Sequence, residues 1–197
     1  MSLLSAQIVE PNWLARPSTQ VAPDLVGCTL VRQLSDGNIL RGMIVETEAY
    51  GPGDPACHAY RRRTQRNWIM FGPAGYTYIY LIYGVYYCLN VVTDRDEVPS
   101  AVLIRALQLQ SLPIWVEGRD RLKPHRIAAG PGKLCNALQI DRSLNAQLLK
   151  PGEPLWLEHR PPQFQPELVQ TTRIGLSKGI DLPWRWYLKD CPAVSKL

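Results

Sequence analysis

The sequence predicts a single α+β domain with a curved antiparallel β-sheet, surrounding helices and a protruding β-hairpin. Segments rich in β-branched, aromatic and aliphatic residues recur along the 197 residues and outnumber segments with helical spacing. Two pairs of these segments are joined by turns that contain Gly37 or Gly84, and helices are expected between other segments. We expect residues 1–22 to form an N-terminal arm with a short helix and residues 23–197 to form the domain.

The elements are predicted in chain order. CTLVRQL and ILRGMIVETEAY form a strand pair around a turn that contains Gly37, and the turn GPGDP ends the second strand. An irregular basic segment over residues 56–72 precedes two strands joined tightly at Tyr83-Gly84, and SAVLIRALQL is the next strand. GPGKLCNALQI predicts a helix. Five prolines between 150 and 167 predict a loop or an irregular edge, and RWYLKD predicts the last strand.

Composition limits the possible functions. With 46% hydrophobic and 20% charged residues the chain has an ordinary globular composition, and its net charge of +5 is compatible with a polyanionic partner. The five cysteines are odd in number, widely spaced and without a C-x-x-C pair, which argues against a disulfide scaffold or a zinc site. The sequence shows neither a secretion signal nor an apolar run that could span a bilayer. We expect a cytoplasmic protein without a metal or another cofactor.

The segment VETEAY is the first candidate for chemistry. On a strand, Glu46, Glu48 and Tyr50 share one face because side chains alternate. Two interpretations are open: a solvent-exposed strand face, which the burial preferences of carboxylates favour, or a carboxylate in a partly closed site that acts as a general base toward water. His58 is a further candidate, although a single histidine in a loop more often serves as a structural hydrogen-bonding group.

The predicted hairpin concentrates five tyrosines in YIYLIYGVYYCLN. Alternation places Tyr78 and Tyr80 on one face and aliphatic side chains such as Leu81 on the other, which is the expected core face. Tyr83 comes at the turn, where it is either a wedge that enters a nucleic-acid stack or a ring folded back onto the hairpin. A carboxylate that activates water, rings that enclose a planar base, a wedge and a basic loop are together the parts of a base-flipping enzyme.

The segment from GMIVETEAY to YYCLNVVTD resembles the alkyladenine (3-methyladenine) DNA glycosylase family, in its bacterial form. Similar segments run in order over residues 24–195, and the blocks ETEAY, RN..MF, YIY..YG and C.N are specific. The resemblance implies a monofunctional enzyme of base excision repair. Such an enzyme flips alkylated purines of the 3-methyladenine or 7-methylguanine type out of duplex DNA and hydrolyses the N-glycosidic bond, which leaves an abasic site.

The positions of these motifs imply a role for each site residue. Glu48 would be the general base that activates the attacking water, and Arg105 would hold that water with the backbone carbonyl of Ile174. The other implied roles are base binding by Tyr50, His58, Tyr80 and Asn90, intercalation into DNA by Tyr83, and DNA contacts by Arg61, Arg62, Arg63, Thr64, Arg66 and Lys133. A solvated basic loop is the alternative for the three consecutive arginines.

The resemblance also implies a partner, an oligomeric state and a location. We expect double-stranded DNA with damaged purines as the partner, no membrane, and a monomer that associates with the nucleoid when it is on DNA. Four departures from the family pattern affect the expected lesion range and loop geometry. They are Cys57 before the histidine, RALQLQ without the usual acid and proline, a turn before His58 one residue shorter than in vertebrate members, and the triple arginine.

Two other function classes remain open from the sequence. The hairpin and the basic loop could belong to a nucleic-acid-binding module without catalysis. Glu46 and Glu48 could instead be the carboxylate pair of a carbohydrate glycosidase, although Tyr83 and the triple arginine would then have no explanation.

Overall fold

The structure is a computed structural model that describes residues 7–116 and 123–196. Within these residues the helices are α1 (Pro11–Leu14), α2 (Ser18–Leu25) and α3 (Pro131–Ala137). The strands are β1 (Thr29–Gln33), β2 (Ile39–Tyr50), β3 (Thr77–Ile82), β4 (Tyr86–Val92), β5 (Ala101–Leu109), β6 (Leu155–Glu158), β7 (Leu168–Thr171) and β8 (Arg185–Leu188). Short 3-10 helices lie at Trp68–Phe71, Pro124–Arg126 and Arg142–Leu144.

The strands form one curled antiparallel sheet. Its main path runs β3-β4-β5-β2-β1-β6, and β8 joins β2 to β7. The 12-residue strand β2 is long enough to pair with β1 along its first half and with β8 along its second half, while β5 follows its other edge. The predicted α+β class and the antiparallel sheet are confirmed. No helix in the described part of the chain is long and apolar enough to cross a membrane.

The central strand β2 is buried on both faces. Its residues 44–49 are buried whichever way their side chains point. Helix α2 covers the strand at Thr47, whose hydroxyl donates to the Ala22 carbonyl at 2.8 Å. The C-terminal segment covers it at Val45, which packs in a separate apolar cluster with Ala193 and Val194. The solvent-exposed interpretation of VETEAY is therefore wrong, because the helix and the C-terminal segment cover the strand.

The second half of the chain departs from the prediction at one sheet edge. A loop or an irregular edge was predicted over residues 150–167, but β6 lies inside it and pairs with β1. Its four residues LWLE contain no proline and are all buried. The prolines lie before and after them, where they limit the length of the strand but do not interrupt its pairing. Strand β7 was not predicted and pairs with β8.

The N-terminal segment packs on the sheet. Helix α2 crosses the predicted boundary between residues 22 and 23, and Leu14, Val21 and Leu25 belong to the main core. The division into an arm and a domain stays a prediction.

Strands β3 and β4 pair antiparallel around Tyr83 and Gly84. Both residues have positive φ angles, +52° and +70°, and the Val85 N–H donates to the Ile82 carbonyl at 3.2 Å, as in a type I′ turn. The Tyr83 side chain is 80% exposed and so is not folded back. The expected core face of β3 is wrong at Leu81, which is 43% exposed, because this end of the edge strand leaves the core.

Candidate active site

The carboxylate of Glu48 is completely buried in β2, where it accepts two hydrogen bonds and forms one ion pair. Its Oε1 accepts a hydrogen bond from the backbone N–H of Ile174 at 2.8 Å and is ion-paired with Arg105 Nη1 at 3.1 Å. Its Oε2 accepts from the Tyr50 hydroxyl at 2.7 Å. A buried charge needs such partners, and together they fix the orientation of this carboxylate. In this structure Ile174 contacts Glu48 through its N–H group, whereas the resemblance implied a role for its carbonyl.

A β-bulge brings Arg105 between the two glutamates. The register of β2 and β5 shifts on both sides of Glu46, which pairs with Ala106, while Thr47 pairs with Ile104. Arg105 therefore donates through Nε to Glu46 at 3.0 Å, and its Nη1 forms an ion pair with Glu48. Burial lowers the pKa of Arg105, but the charges of Glu48 and Glu46 outweigh this effect and hold the pKa above its usual value.

Glu46 connects this cluster to the C-terminal segment. Its Oε1 also accepts from Arg185 Nε at 2.7 Å and from the Ser195 hydroxyl at 2.9 Å, and its Oε2 accepts from the Ser195 N–H at 2.7 Å. Both carboxylate oxygens are therefore occupied within the protein. Glu46 thus holds Arg105 in place and ties it to Arg185 and Ser195.

A cavity of about 160 Å³ is lined by Tyr50, the residue whose hydroxyl donates to Glu48. It is large enough for an aromatic ring, since a cavity of about 150 Å³ in another protein binds benzene. Its polar and aromatic lining consists of Tyr50, His58, Arg66, Tyr78, Tyr80 and Asn90. The structure thus brings together all four predicted base-binding residues.

A larger open groove of about 450 Å³ adjoins this cavity. Tyr50 and Tyr80 line both, and Arg105 and Ile174 line the groove close to Glu48. The groove continues to Tyr83 at the turn and to Lys133 on α3. A planar group in the cavity can therefore remain attached to a longer chain that lies in the groove.

Burial shifts the pKa values of the cavity's aromatic wall in the direction that favours the uncharged forms. His58 Nδ1 and the Tyr78 hydroxyl are 2.8 Å apart, and the His58 and Tyr80 ring centroids are 4.5 Å apart in an edge-on arrangement. Burial and the nearby charge of Arg66 lower the pKa of His58. Burial raises the pKa of Tyr78 to about 12, and it also raises the pKa values of Tyr50 and Tyr80.

Asn90 forms part of the cavity floor. It pairs with Tyr78 across β4 and β3, and its Nδ2 donates to the Tyr78 carbonyl at 3.0 Å. The side chain is buried and fixed by this bond. A group that enters the cavity cannot easily displace it.

Sequence reasoning missed a buried ion pair beneath Tyr50. Arg173 binds both carboxylate oxygens of Asp54, donates to the Ala49 carbonyl at 2.9 Å, and lies 4.6 Å from the Tyr50 ring centroid. Both charged side chains are completely buried. The two residues are 119 positions apart, and neither belongs to a pattern that indicates a pair, so that no sequence signal could have found them.

The predicted DNA-contacting residues are distributed unevenly. All six are exposed, but only Arg66 and Lys133 line the cavity or the adjoining groove. The Arg63 guanidinium binds Glu97 at 2.8 Å and lies 4.6 Å from the Phe71 ring centroid, so that it has partners within the protein. Over residues 7–116 and 123–196, no group of three His, Cys, Asp or Glu residues is suited to hold a metal ion.

Comparison with known proteins identifies the family. Residues 12–192 match the model of the methylpurine-DNA glycosylase (MPG) family. The chain belongs to this family. Methylpurine-DNA glycosylases are DNA glycosylases, which are hydrolases, so that the chain is a DNA repair hydrolase and its substrate is DNA. The family resemblance inferred from ETEAY and the neighbouring blocks is confirmed.

Similar proteins match this methylpurine-DNA glycosylase over nearly their whole length. A protein from Trichodesmium erythraeum (strain IMS101) is 59% identical, with 96% of this chain and 98% of the relative covered. Proteins from Synechococcus elongatus and Methanoculleus marisnigri are 50% and 47% identical, with 96% and 92% of this chain and 93% and 95% of the relatives covered. All three carry the provisional name 3-methyladenine DNA glycosylase. Membership of the family favours an enzyme acting on DNA over a binding module or a carbohydrate glycosidase.

Proposed function

We propose that this enzyme excises alkylated purines, of the 3-methyladenine and 7-methylguanine type, from double-stranded DNA. The nucleotide is flipped into the cavity, its N-glycosidic bond is hydrolysed and an abasic site remains. The observation that carries this proposal is the hydrogen bond between Glu48 and Tyr50, which joins a fixed carboxylate to the wall of a cavity of base size. The names of the similar proteins mention 3-methyladenine, which supports that part of the proposal.

The cavity favours a flat, positively charged base. Tyr50 and Tyr80 both line it, and they stack on the two faces of the flipped purine. A purine alkylated at N3 or N7 carries a positive charge, which gains roughly 0.5–2 kcal/mol of cation–π attraction from each ring. Normal bases gain less and cost more to unstack, so that selection begins before the chemical step.

Glu48 then activates the attacking water. The water oxygen bonds to C1′ of the sugar, its proton passes to the Glu48 carboxylate, and the electron pair of the broken bond neutralises the charged purine. The carboxylate also stabilises the positive charge that develops on the sugar. Arg105 keeps the carboxylate oriented and helps to hold the water. No lysine is found among the described residues that line the cavity, and we propose a monofunctional enzyme without a Schiff base.

The remaining residues select the lesion and hold the duplex. Asn90, fixed by the Tyr78 carbonyl, crowds the exocyclic amino group of guanine. His58 packs and hydrogen-bonds at the edge of the base. Tyr83 enters the duplex where the nucleotide has left it, because its exposed ring stands at the turn of the hairpin.

Six polar side chains around the cavity and in the basic loop contact the DNA backbone. Such contacts add affinity without sequence preference. This set comprises Arg61, Arg62, Arg63 and Arg66 with Thr64 and Lys133. We propose that the enzyme acts as a monomer in the cytoplasm and associates with the nucleoid through DNA.

The test is the release of free 3-methyladenine from alkylated duplex DNA by Glu48→Gln. A general base contributes about 10²–10⁴-fold to the rate, and the variant should lose this factor under single-turnover conditions while it keeps its DNA affinity. Glu153→Gln, a change at a surface glutamate paired with Lys150, is the control and should keep the native rate. Release at the native rate by Glu48→Gln would disprove the assigned base.

A further inference from the structure

The edge strand β3 separates the base cavity from a second depression. Tyr78 and Tyr80 line the cavity, whereas Ile79 and Leu81 line a depression of about 350 Å³. A shallower depression of about 580 Å³ shares its residues 65, 66, 68 and 142. We call the two depressions together the Trp68 groove.

Trp68 presents a large flat surface in this groove. Its side chain is 49% exposed, and the next two residues of its 3-10 helix, Ile69 and Met70, are buried in the apolar cluster behind the base cavity. The indole is therefore carried on a fixed backbone. Leu81 adds exposed apolar surface beside it. Both side chains are large and apolar, yet about half of each is exposed to solvent instead of being packed in the core.

The charge of the groove is positive. Arg66 and Arg142 line it together with the amides of Gln65 and Asn145, and no carboxylate is found among the described lining residues. Arg142 has no ion pair with a carboxylate in residues 7–116 and 123–196. Asn145 is fixed, since its Oδ1 accepts from the Ile79 N–H at 2.7 Å. An aromatic platform among guanidinium groups suits a nucleic-acid strand, whose bases stack and whose phosphates are anionic.

The Trp68 groove adjoins the base cavity across the edge of β3. Tyr80 and Arg66 line both, and the Arg66 guanidinium lies 5.5 Å from the Tyr80 ring centroid. A strand with one nucleotide in the cavity needs to pass only the edge of β3 to reach the groove. We propose that the Trp68 groove binds the DNA strand next to the flipped nucleotide, with a base stacked on Trp68 and phosphates held by Arg66 and Arg142. This proposal rests on the proposed function for the position of the flipped nucleotide.

The first test is the affinity for a short single-stranded oligothymidylate. Stacking on an aromatic side chain is sequence-tolerant, and Trp68→Ala should weaken binding about five- to a hundred-fold. Ile39→Ala is the matched control, because Ile39 is similarly exposed, at 47%, on the distant start of β2. Unchanged affinity of Trp68→Ala, or an equal loss in Ile39→Ala, overturns the proposal.

The second test measures the salt dependence of the same binding. Arg142→Gln should reduce the slope of log affinity against log salt by about 0.7, the value for one phosphate contact on a single strand. Lys189→Gln removes the same charge across the sheet, next to Glu167, and should leave the slope unchanged. An unchanged slope in Arg142→Gln overturns the phosphate contact.

The chemical step separates this proposal from the proposed function. With enzyme in saturating excess, Trp68→Ala should release 3-methyladenine at the native rate, because Glu48 and the cavity are intact. A slower release rate under saturation, without weaker strand binding, would show that Trp68 supports the base cavity. That result would overturn the proposed strand-binding role of the Trp68 groove. The proposed function is tested independently by Glu48→Gln. Release at the native rate by that variant would disprove the assigned base, whatever the result for Trp68→Ala.

Discussion

The guanidinium of Arg173 lies 4.6 Å from the centroid of the Tyr50 ring and binds both carboxylate oxygens of Asp54. Arg173 and Asp54 are completely buried, and they tie the turn after β2 to the segment before Ile174. Tyr50 therefore has a rigid charged support behind it. This support keeps the ring in place for the proposed stacking and keeps its hydroxyl directed at Glu48.

Breaking this pair should destabilise the protein strongly. Asp54→Asn leaves a buried arginine without its counter-charge, which costs about 3–5 kcal/mol of the free energy of unfolding in comparable cases. Urea unfolding of the variant measures this change. Arg63→Gln is the control, since the exposed Arg63–Glu97 pair should contribute about 1 kcal/mol or less. Equal losses in the two variants would contradict the structural role of the buried pair.

The Tyr50 hydroxyl should matter separately from its ring. Tyr50→Phe keeps the stacking surface but removes the donor at 2.7 Å from Glu48. A hydrogen bond to a charged group contributes about 1.5–3 kcal/mol, so that single-turnover release of 3-methyladenine should slow about ten- to a hundred-fold. DNA affinity should remain near the native value. Tyr60→Phe, at an exposed tyrosine, is the control and should keep the native rate. A native release rate in Tyr50→Phe would show that the hydrogen bond from the Tyr50 hydroxyl does not orient Glu48 for the reaction.

Glu46 should support the reaction through Arg105. Glu46→Gln removes the charge that holds both Arg105 and Arg185, and the free energy of unfolding should fall by about 3 kcal/mol or more. Base release should also slow, because Arg105 is then fixed by Glu48 alone. Ser195→Ala removes only one hydrogen bond to Glu46, and its cost should be about 1 kcal/mol. The assignment fails if Glu46→Gln retains the native stability and the native release rate.

Stability should decrease on the acid side through His58. Its pKa is lowered in the folded protein, by burial first and by Arg66 second, so that the unfolded chain binds the proton more readily. The stabilisation from the neutral ring is complete above the unfolded pKa of about 6.5 and is lost as pH falls below it. His58→Gln should therefore lose less stability than the native protein between about pH 7 and pH 5. Urea unfolding across this range measures the difference, with His125→Gln as the control, and parallel curves for His58→Gln and the native protein would contradict it.

Local patterns in the chain were sufficient for much of the fold. The strand pair ending in VETEAY, the tight pair around Tyr83, the strand SAVLIRALQL and the helix beginning at Pro131 follow from alternation, glycine turns and helical spacing. Strands β6 and β7 could not be predicted, because four-residue strands among prolines acquire their pairing partners only from distant parts of the chain.

The sequence by itself determined the family and its candidate residues, because a motif is defined by residue types and their spacing. It can therefore be recognised without knowing what surrounds it in space. Tertiary structure alone decided that Glu48 is buried and bound by Arg105, Tyr50 and Ile174, and that Arg173 supports Tyr50. These relationships join residues from separate strands and loops. Burial and electrostatic contact depend on distance in space, which the order of residues along a chain does not specify.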